Sequence, residues 1–175
     1  MVRVSINVPE RSEPTDEGSS LKRNLDPLSA GVTAVGVVAG AMLVATLFMT
    51  ITSVDVANGS CEVINDANPA LADRCSLTGI ERHGPAFALL GLLCVVMALG
   101  AGLGGSRPAA VALIAIGVVA VVITLLTDWP ESGETGAIGR SFEGAKAAKG
   151  PGLYSELLAG ALAAMAGLIR LVNPR

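Results

Sequence analysis

Charge is what this sequence has least of. Only 15% of its 175 residues are Asp, Glu, Lys or Arg, against roughly a quarter in an average soluble chain. A net charge of −3, with neither a basic cluster nor an aromatic stacking platform, excludes nucleic-acid binding. Aromatic residues are scarce: three Phe, one Trp and one Tyr. There is one histidine, His83, so a paired-imidazole metal motif is ruled out. A closed zinc site, which needs four ligands, is not expected, and no metal ligands are assigned. CxxC pairs, glycine-rich phosphate loops and Ser-His-Asp spacings are also missing. On those absences the chain reads as non-enzymatic and free of cofactors.

What the sequence does have is long apolar runs; 51% of its residues are hydrophobic. The missing charge is missing from four stretches: residues 28–52, 85–104, 108–127 and 152–172. Each has the length a helix needs to cross a hydrocarbon core of about 30 Å at roughly 1.5 Å per residue. In lipid the backbone must satisfy its own hydrogen bonds, so such segments are helical. The expected fold class is therefore all-α, a four-helix transmembrane bundle with lipid as its main surroundings. Pro85, Pro108 and Pro151 stand where helices begin, at positions whose missing N–H matters least. Residues 1–27, including "RSEPTDEGSS", read as a disordered cytoplasmic tail. That tail is too long for the n-region of a cleaved signal peptide. Abundant Ala, Val and Gly, with Arg favoured over Lys, suggest a bacterial plasma membrane.

Basic residues orient the chain. Arg3, Arg11, Lys22, Arg23, Arg107, Arg170 and Arg175 fall on one side, and Arg74, Arg82, Arg140, Lys146 and Lys149 on the other. Seven against five places both termini, the turn 105–107 and the tail 173–175 in the cytoplasm. Loops 53–84 and 128–151 then lie outside. Cys61 and Cys75 both fall in the first of these, and a disulfide between them suits an oxidising compartment. Closing a loop of about 15 residues contributes about 3 kcal/mol in the chain-entropy model. Cys94, inside the second span, reads as a small buried hydrophobe.

Helices in lipid associate through small residues that let backbones approach. The candidates are Gly36 with Gly40, Gly100 with Gly104, Gly160 with Ala164, and Ala163 with Gly167. The third span is poorest in such pairs and is expected to face lipid or a partner most. Trp129, Tyr154 and Arg170 are expected as interface anchors, Arg170 by snorkelling. In "AIGRSFEGAKAAKGP", Ile138, Phe142 and Ala145 share one helical face opposite Arg140, Glu143 and Ala147. This predicts an amphipathic helix in the second outer loop, with an irregular loop as the alternative.

Glu81-Arg82-His83 stands at the threshold of the second span. One reading is a border: Glu near a helix start is favoured by the dipole, and Arg reaches headgroups. The other joins Arg82 and His83 to Glu156 in an outer polar site. Glu156 lies about 6 Å into the fourth span by helix rise, and an ionisable residue inside a span is a functional hypothesis in itself. A structural pair of Glu156 with Arg82 or Lys149 would also account for it. Mid-depth hydroxyls such as Thr46 and Thr124 are expected to bond back to the backbone.

Four helices, inside termini, a tight inner turn and two cysteines in the first outer loop are similar to the claudin-type arrangement. So are Trp129 at the end of the third span and the fourth span "GLYSELLAGALAAMAGLI". The tryptophan–glycine signature of the claudin first loop is absent and the loop is shorter, so the resemblance is one of architecture. The function expected is that of an accessory or scaffold subunit, meeting a protein partner or another copy of itself in the membrane. The alternatives are a transport or channel component with an outer mouth at Arg82 and Glu156, and an outer-face enzyme using His83 and Glu156 as an acid–base pair.

Overall fold

A computed structural model describes residues 26–173. The tail reading and its basic residues Arg3, Arg11, Lys22 and Arg23 lie outside the described residues, as does Arg175.

Helix starts follow local chemistry. Helix α1 (Pro27–Ala45) opens with proline at its first position and runs into a tighter turn, Thr46–Phe48. Helix α5 (Ala86–Gly102) follows Pro85. Helix α6 (Arg107–Ile123) has Ser106 as its cap, whose Oγ accepts from the Ala109 N–H at 3.4 Å. This is the side-chain service that the first amides of a helix require. Helix α9 (Pro151–Val172) again starts on proline. Pro27–Phe48, Pro151–Val172 and the helical run from Arg107 to Ser141 are long and apolar enough to cross a membrane. Three such helices point to a membrane protein; α5, at 17 residues, is shorter but as apolar.

Helix α1 lies antiparallel against α5 and also touches α9, while α6 lies against α9 and α5. Backbones nearly touch at two crossings. A Cβ on Gly40 would sit 2.6 Å from the Gly91 carbonyl oxygen, and one on Gly91 the same distance from that of Gly40. A Cβ on Gly117 would meet the Gly160 oxygen at 2.4 Å and the Ala164 nitrogen at 2.5 Å. Gly36 faces Ala98, Gly100 faces Ala109, and Gly167 faces the Ala110 carbonyl. Gly104 differs from the other expected packing residues: the atoms nearest to a Cβ there belong to Gly100 of its own segment. The third apolar segment is also corrected, because α6 makes one of the two closest crossings through Gly117. Gly117, like Gly91 opposite Gly40, has no small residue four positions away in its own helix, so neither belongs to a small-residue pair of the kind expected.

The core between the helices is built from small side chains: Ala39, Cys94, Ala98, Ala101, Ala110 and Ala163 are buried around Leu113. Large side chains point outward, among them Leu89, Leu92, Leu93 and Val96 on α5, Val118 and Val122 on α6, and Leu158, Met165 and Leu168 on α9. A water-soluble helical protein distributes them the other way.

At one end the helices carry a cap. Strand β1 (Thr50–Asp55) is the middle strand of a three-stranded antiparallel sheet, between β2 (Ser76–Thr78) and β3 (Lys146–Lys149). Thr52 pairs with Lys149 and Asp55 with Lys146 on one side, and Ser53 with Ser76 on the other. The all-α expectation is corrected here. The β-branched "TITSV" leaves α1 as a strand, so the first apolar segment ends as helix at Phe48 and not at 52. Short helices fill the rest of the cap: α2 (Cys61–Ala67), α3 (Ala72–Cys75), α4 (Gly79–His83), α7 (Trp129–Glu131) and α8 (Gly136–Ser141). The expected amphipathic helix is thus cut to α8, since residues 146–149 pair as a strand. Its Ile138 is buried with Val54, Ile64 and Cys75, and Phe142 and Ala145 pack on the same cluster. Cys61 and Cys75 are joined in a disulfide, Cα atoms 5.2 Å apart, beside that cluster. Cys94 is a buried free thiol.

Arg170 does not reach out as a snorkelling anchor. It is buried, its Nε donating to the Ala101 carbonyl and its Nη1 to that of Asn173, both at 2.8 Å. The Ala101 carbonyl belongs to the last turn of α5, where no helical amide is left to bond it. At the capped end Trp129 and Tyr154 stand edge to face, ring centres 6.3 Å apart, with Lys149 Nζ 3.3 Å above the Trp129 ring.

Candidate functional site

Three elements converge beneath the cap. Helix α4 is set by a capping box: Glu81 Oε2 accepts from the Thr78 backbone N–H at 2.8 Å and from its hydroxyl at 2.7 Å. Those donors hold the Glu81 carboxyl below its ordinary pKa, the backbone amide most. Glu81 is therefore a capping residue, and the helix it starts aims Arg82 and His83 at the ends of α6 and α9. Gly84, in the left-handed region at φ +56°, ends α4 and lets the chain turn into α5. The His83 ring rests on Phe87, centres 4.5 Å apart.

From α6 comes one π-type turn, Thr124–Asp128. Wider turns of this kind often re-aim side chains at functional sites. Here the turn keeps the chain helical through Asp128 and buries both Thr124 and Asp128. Helix α9 brings Glu156, fully buried one turn and a half from its start.

His83 Nε2 lies 3.3 Å from Asp128 Oδ2 and 3.5 Å from Glu156 Oε1. Both separations are ion-pair distances, yet the geometry aligns no hydrogen bond. His83 Nε2, Asp128 Oδ2 and Glu156 Oε1 are all buried without a hydrogen-bond partner among the described residues. The second oxygen of each carboxylate is held. Asp128 Oδ1 accepts from Arg82 Nε at 3.0 Å, and Glu156 Oε2 lies 3.3 Å from the Thr124 hydroxyl, which also reaches the Ala120 carbonyl at 2.9 Å. Arg82 bridges outward to Glu131 through Nη1. That bond to Glu131, with the one to Asp128, raises the guanidinium pKa against the opposing pull of partial burial.

The structure therefore brings Arg82, His83 and Glu156 into one cluster, joined by Asp128. Neither pair expected for Glu156 is present: Arg82 serves Asp128 and Glu131, and Lys149 covers Trp129. Asp128 escaped notice in the sequence because "DWP" reads as the start of a loop. Its signal was an acid one residue beyond a span, on the same end as Glu156. The hydroxyls behave as expected, Thr46 bonding back to the Leu43 carbonyl at 2.7 Å, while Thr124 has the added contact with Glu156.

Outside the cluster a cavity of about 290 Å³ opens between the sheet and α8. Arg82 and Asp128 line it, together with Arg74, Glu131, Glu134 and Arg140. Chemically, the cluster can hold a cation or pass a proton among an imidazole and two carboxylates, and the cavity can admit a charged group of either sign.

Compared with known proteins, the chain matches no family model, no curated protein and no solved structure.

Proposed function

We propose that this chain crosses a bacterial plasma membrane four times as a helical bundle, with both ends in the cytoplasm, and acts as a non-enzymatic accessory subunit whose outer cap binds a protein partner. The outward Leu and Val side chains and the small-residue core support immersion in lipid, where close backbone packing replaces the hydrophobic drive. Helix α5, roughly 26 Å long at 1.5 Å per residue, suits such a crossing. Trp129 and Tyr154 then mark the outer headgroup level, where aromatic side chains concentrate. The observation that carries the binding role is the cavity of about 290 Å³, fixed by a disulfide-bearing cap and lined by both signs of charge. A photo-crosslinking residue at Ala137, in the cavity wall, is expected to give a discrete protein adduct in intact cells. Arg140→Glu should diminish it, and the same probe at Leu92 on the apolar face should not give it. No adduct from position 137, or an adduct indifferent to Arg140→Glu, would contradict the proposal.

The buried His83, Asp128 and Glu156 cluster favours a second reading, a transport component with its outer mouth there, since ionisable residues at such depth mark ion pathways. That reading expects proton or cation flux in liposomes that Glu156→Gln abolishes. Flux identical in protein-free liposomes, or unchanged by Glu156→Gln, would dispose of it.

A further inference from the structure

We propose that His83, Asp128 and Glu156 form a binding site for one divalent transition-metal ion of the zinc class. The donor atoms converge from α4, the end of α6 and α9, and lie within 4.8 Å of one another. Segments this far apart in sequence do not bring three donors together through local chain geometry. The separations of 3.3 and 3.5 Å from His83 Nε2 match the roughly 3.3 Å edge of a tetrahedron whose ligands stand about 2.0–2.1 Å from the ion.

Burial is the second, independent observation. Asp128 and Glu156 are 1% and 0% exposed, and each turns an oxygen without a hydrogen-bond partner toward the shared point. Unpaired polar atoms so buried are rare, because each forfeits its hydration without return. An ion bound to all three atoms removes that deficit. A neutral imidazole offers its Nε2 lone pair, and because the one charge of Arg82 is shared between Asp128 and Glu131, the carboxylates around the site leave negative charge for a divalent ion to offset.

The surroundings resemble those of metal ligands generally, whose other atoms are fixed by hydrogen bonds. Arg82 holds the far oxygen of Asp128, Thr124 that of Glu156, and Phe87 supports the imidazole ring. One nitrogen and two oxygens suit first-row transition ions; calcium takes six to eight oxygens, and magnesium keeps most of its water. Asp128 also lines the cavity, so the site and the cavity adjoin. Ion binding here requires no protein partner and stands apart from the accessory role.

The test uses the full-length protein, purified in mild detergent with an affinity tag free of histidine and stripped with a chelator. Titration with Zn2+ is expected to show one ion per chain, and Co2+ to give the visible absorption of a low-coordinate N/O site. His83→Asn and Glu156→Gln should each weaken Zn2+ binding at least about 100-fold, beyond the roughly 10–100-fold typical of supporting residues, which is the loss expected of Thr124→Val. Should a ligand variant fail to fold, X-ray absorption of the zinc-loaded wild type decides. His83 is the sole histidine, so one imidazole among oxygen ligands assigns the site. Substoichiometric binding, binding indifferent to His83→Asn and Glu156→Gln in folded protein, or a zinc spectrum with sulfur or without imidazole would overturn the proposal.

Discussion

Replacing Arg82 by methionine is expected to destabilise the fold by about 3–5 kcal/mol, the range for breaking a buried ion pair by removing one partner. The loss comes from Asp128 more than from Arg82 itself. Asp128 is buried with no exposed side-chain surface, whereas Arg82 keeps 23% of its own. Without the guanidinium, Oδ1 loses the donor 3.0 Å away and joins Oδ2 as an unpaired buried oxygen. The outer bond to Glu131 adds little, because Glu131 is half exposed and surface pairs are worth about 0–1 kcal/mol. Denaturant unfolding in mixed micelles should therefore show Glu131→Gln near wild type and Arg82→Met far below it. Adding Asp128→Asn to Arg82→Met should recover part of the deficit, since the uncompensated charge is then gone. A loss for Arg82→Met/Asp128→Asn equal to the sum of the Arg82→Met and Asp128→Asn losses would show that the two residues are not coupled.

Gly117→Ala is the second change expected to have a large effect, about 3 kcal/mol, the upper end of the range for overpacking. The new methyl would meet a carbonyl oxygen at 2.4 Å and an amide nitrogen at 2.5 Å, both backbone atoms of α9. Backbone cannot rotate aside as a side chain can, so α6 and α9 must separate along their length. That separation also draws Thr124 and Asp128 away from Glu156, so the metal site should weaken with it. Gly31→Ala, with nothing within 4 Å of its new carbon, is the control. There alanine should be neutral or stabilising by up to about 1 kcal/mol through helix propensity alone. Equal stability of the two variants would mean that α6 and α9 do not cross this closely.

Much of this architecture is legible in the residues, and the parts that are not have identifiable reasons. Hydropathy marks the four apolar segments because a helix buried in lipid has to be apolar along its whole length. It misplaces the end of α1 because Thr50-Ile51-Thr52 is as apolar as a helix end, while its β-branched alternation is too short to stand out. Strands β2 and β3 have almost no intrinsic signal: Lys146-Ala147-Ala148-Lys149 is extended only because β1 is there to pair with it. His83 and Glu156 are conspicuous as ionisable residues at the margin of apolar runs. Asp128 is not, since only the π-type turn, a tertiary feature, carries the helix past Thr124 and turns an apparent loop acid inward. Arg170 misleads for the opposite reason. A basic residue at a helix end normally meets headgroups, and only the neighbouring end of α5, with an unbonded carbonyl to offer, draws it inside.

The proposed four crossings put the cap, with its disulfide and polar cluster, outside and the Gly105 turn inside. The most direct test introduces single cysteines at Asn58, in the cap, and at Ser106, in the turn, and treats intact cells with a membrane-impermeant maleimide. The parent protein, its cysteines bridged or buried, serves as the blank. The account predicts labelling at position 58 in intact cells, and at position 106 only after lysis. Labelling at position 106 in intact cells, or at both positions alike, would contradict it.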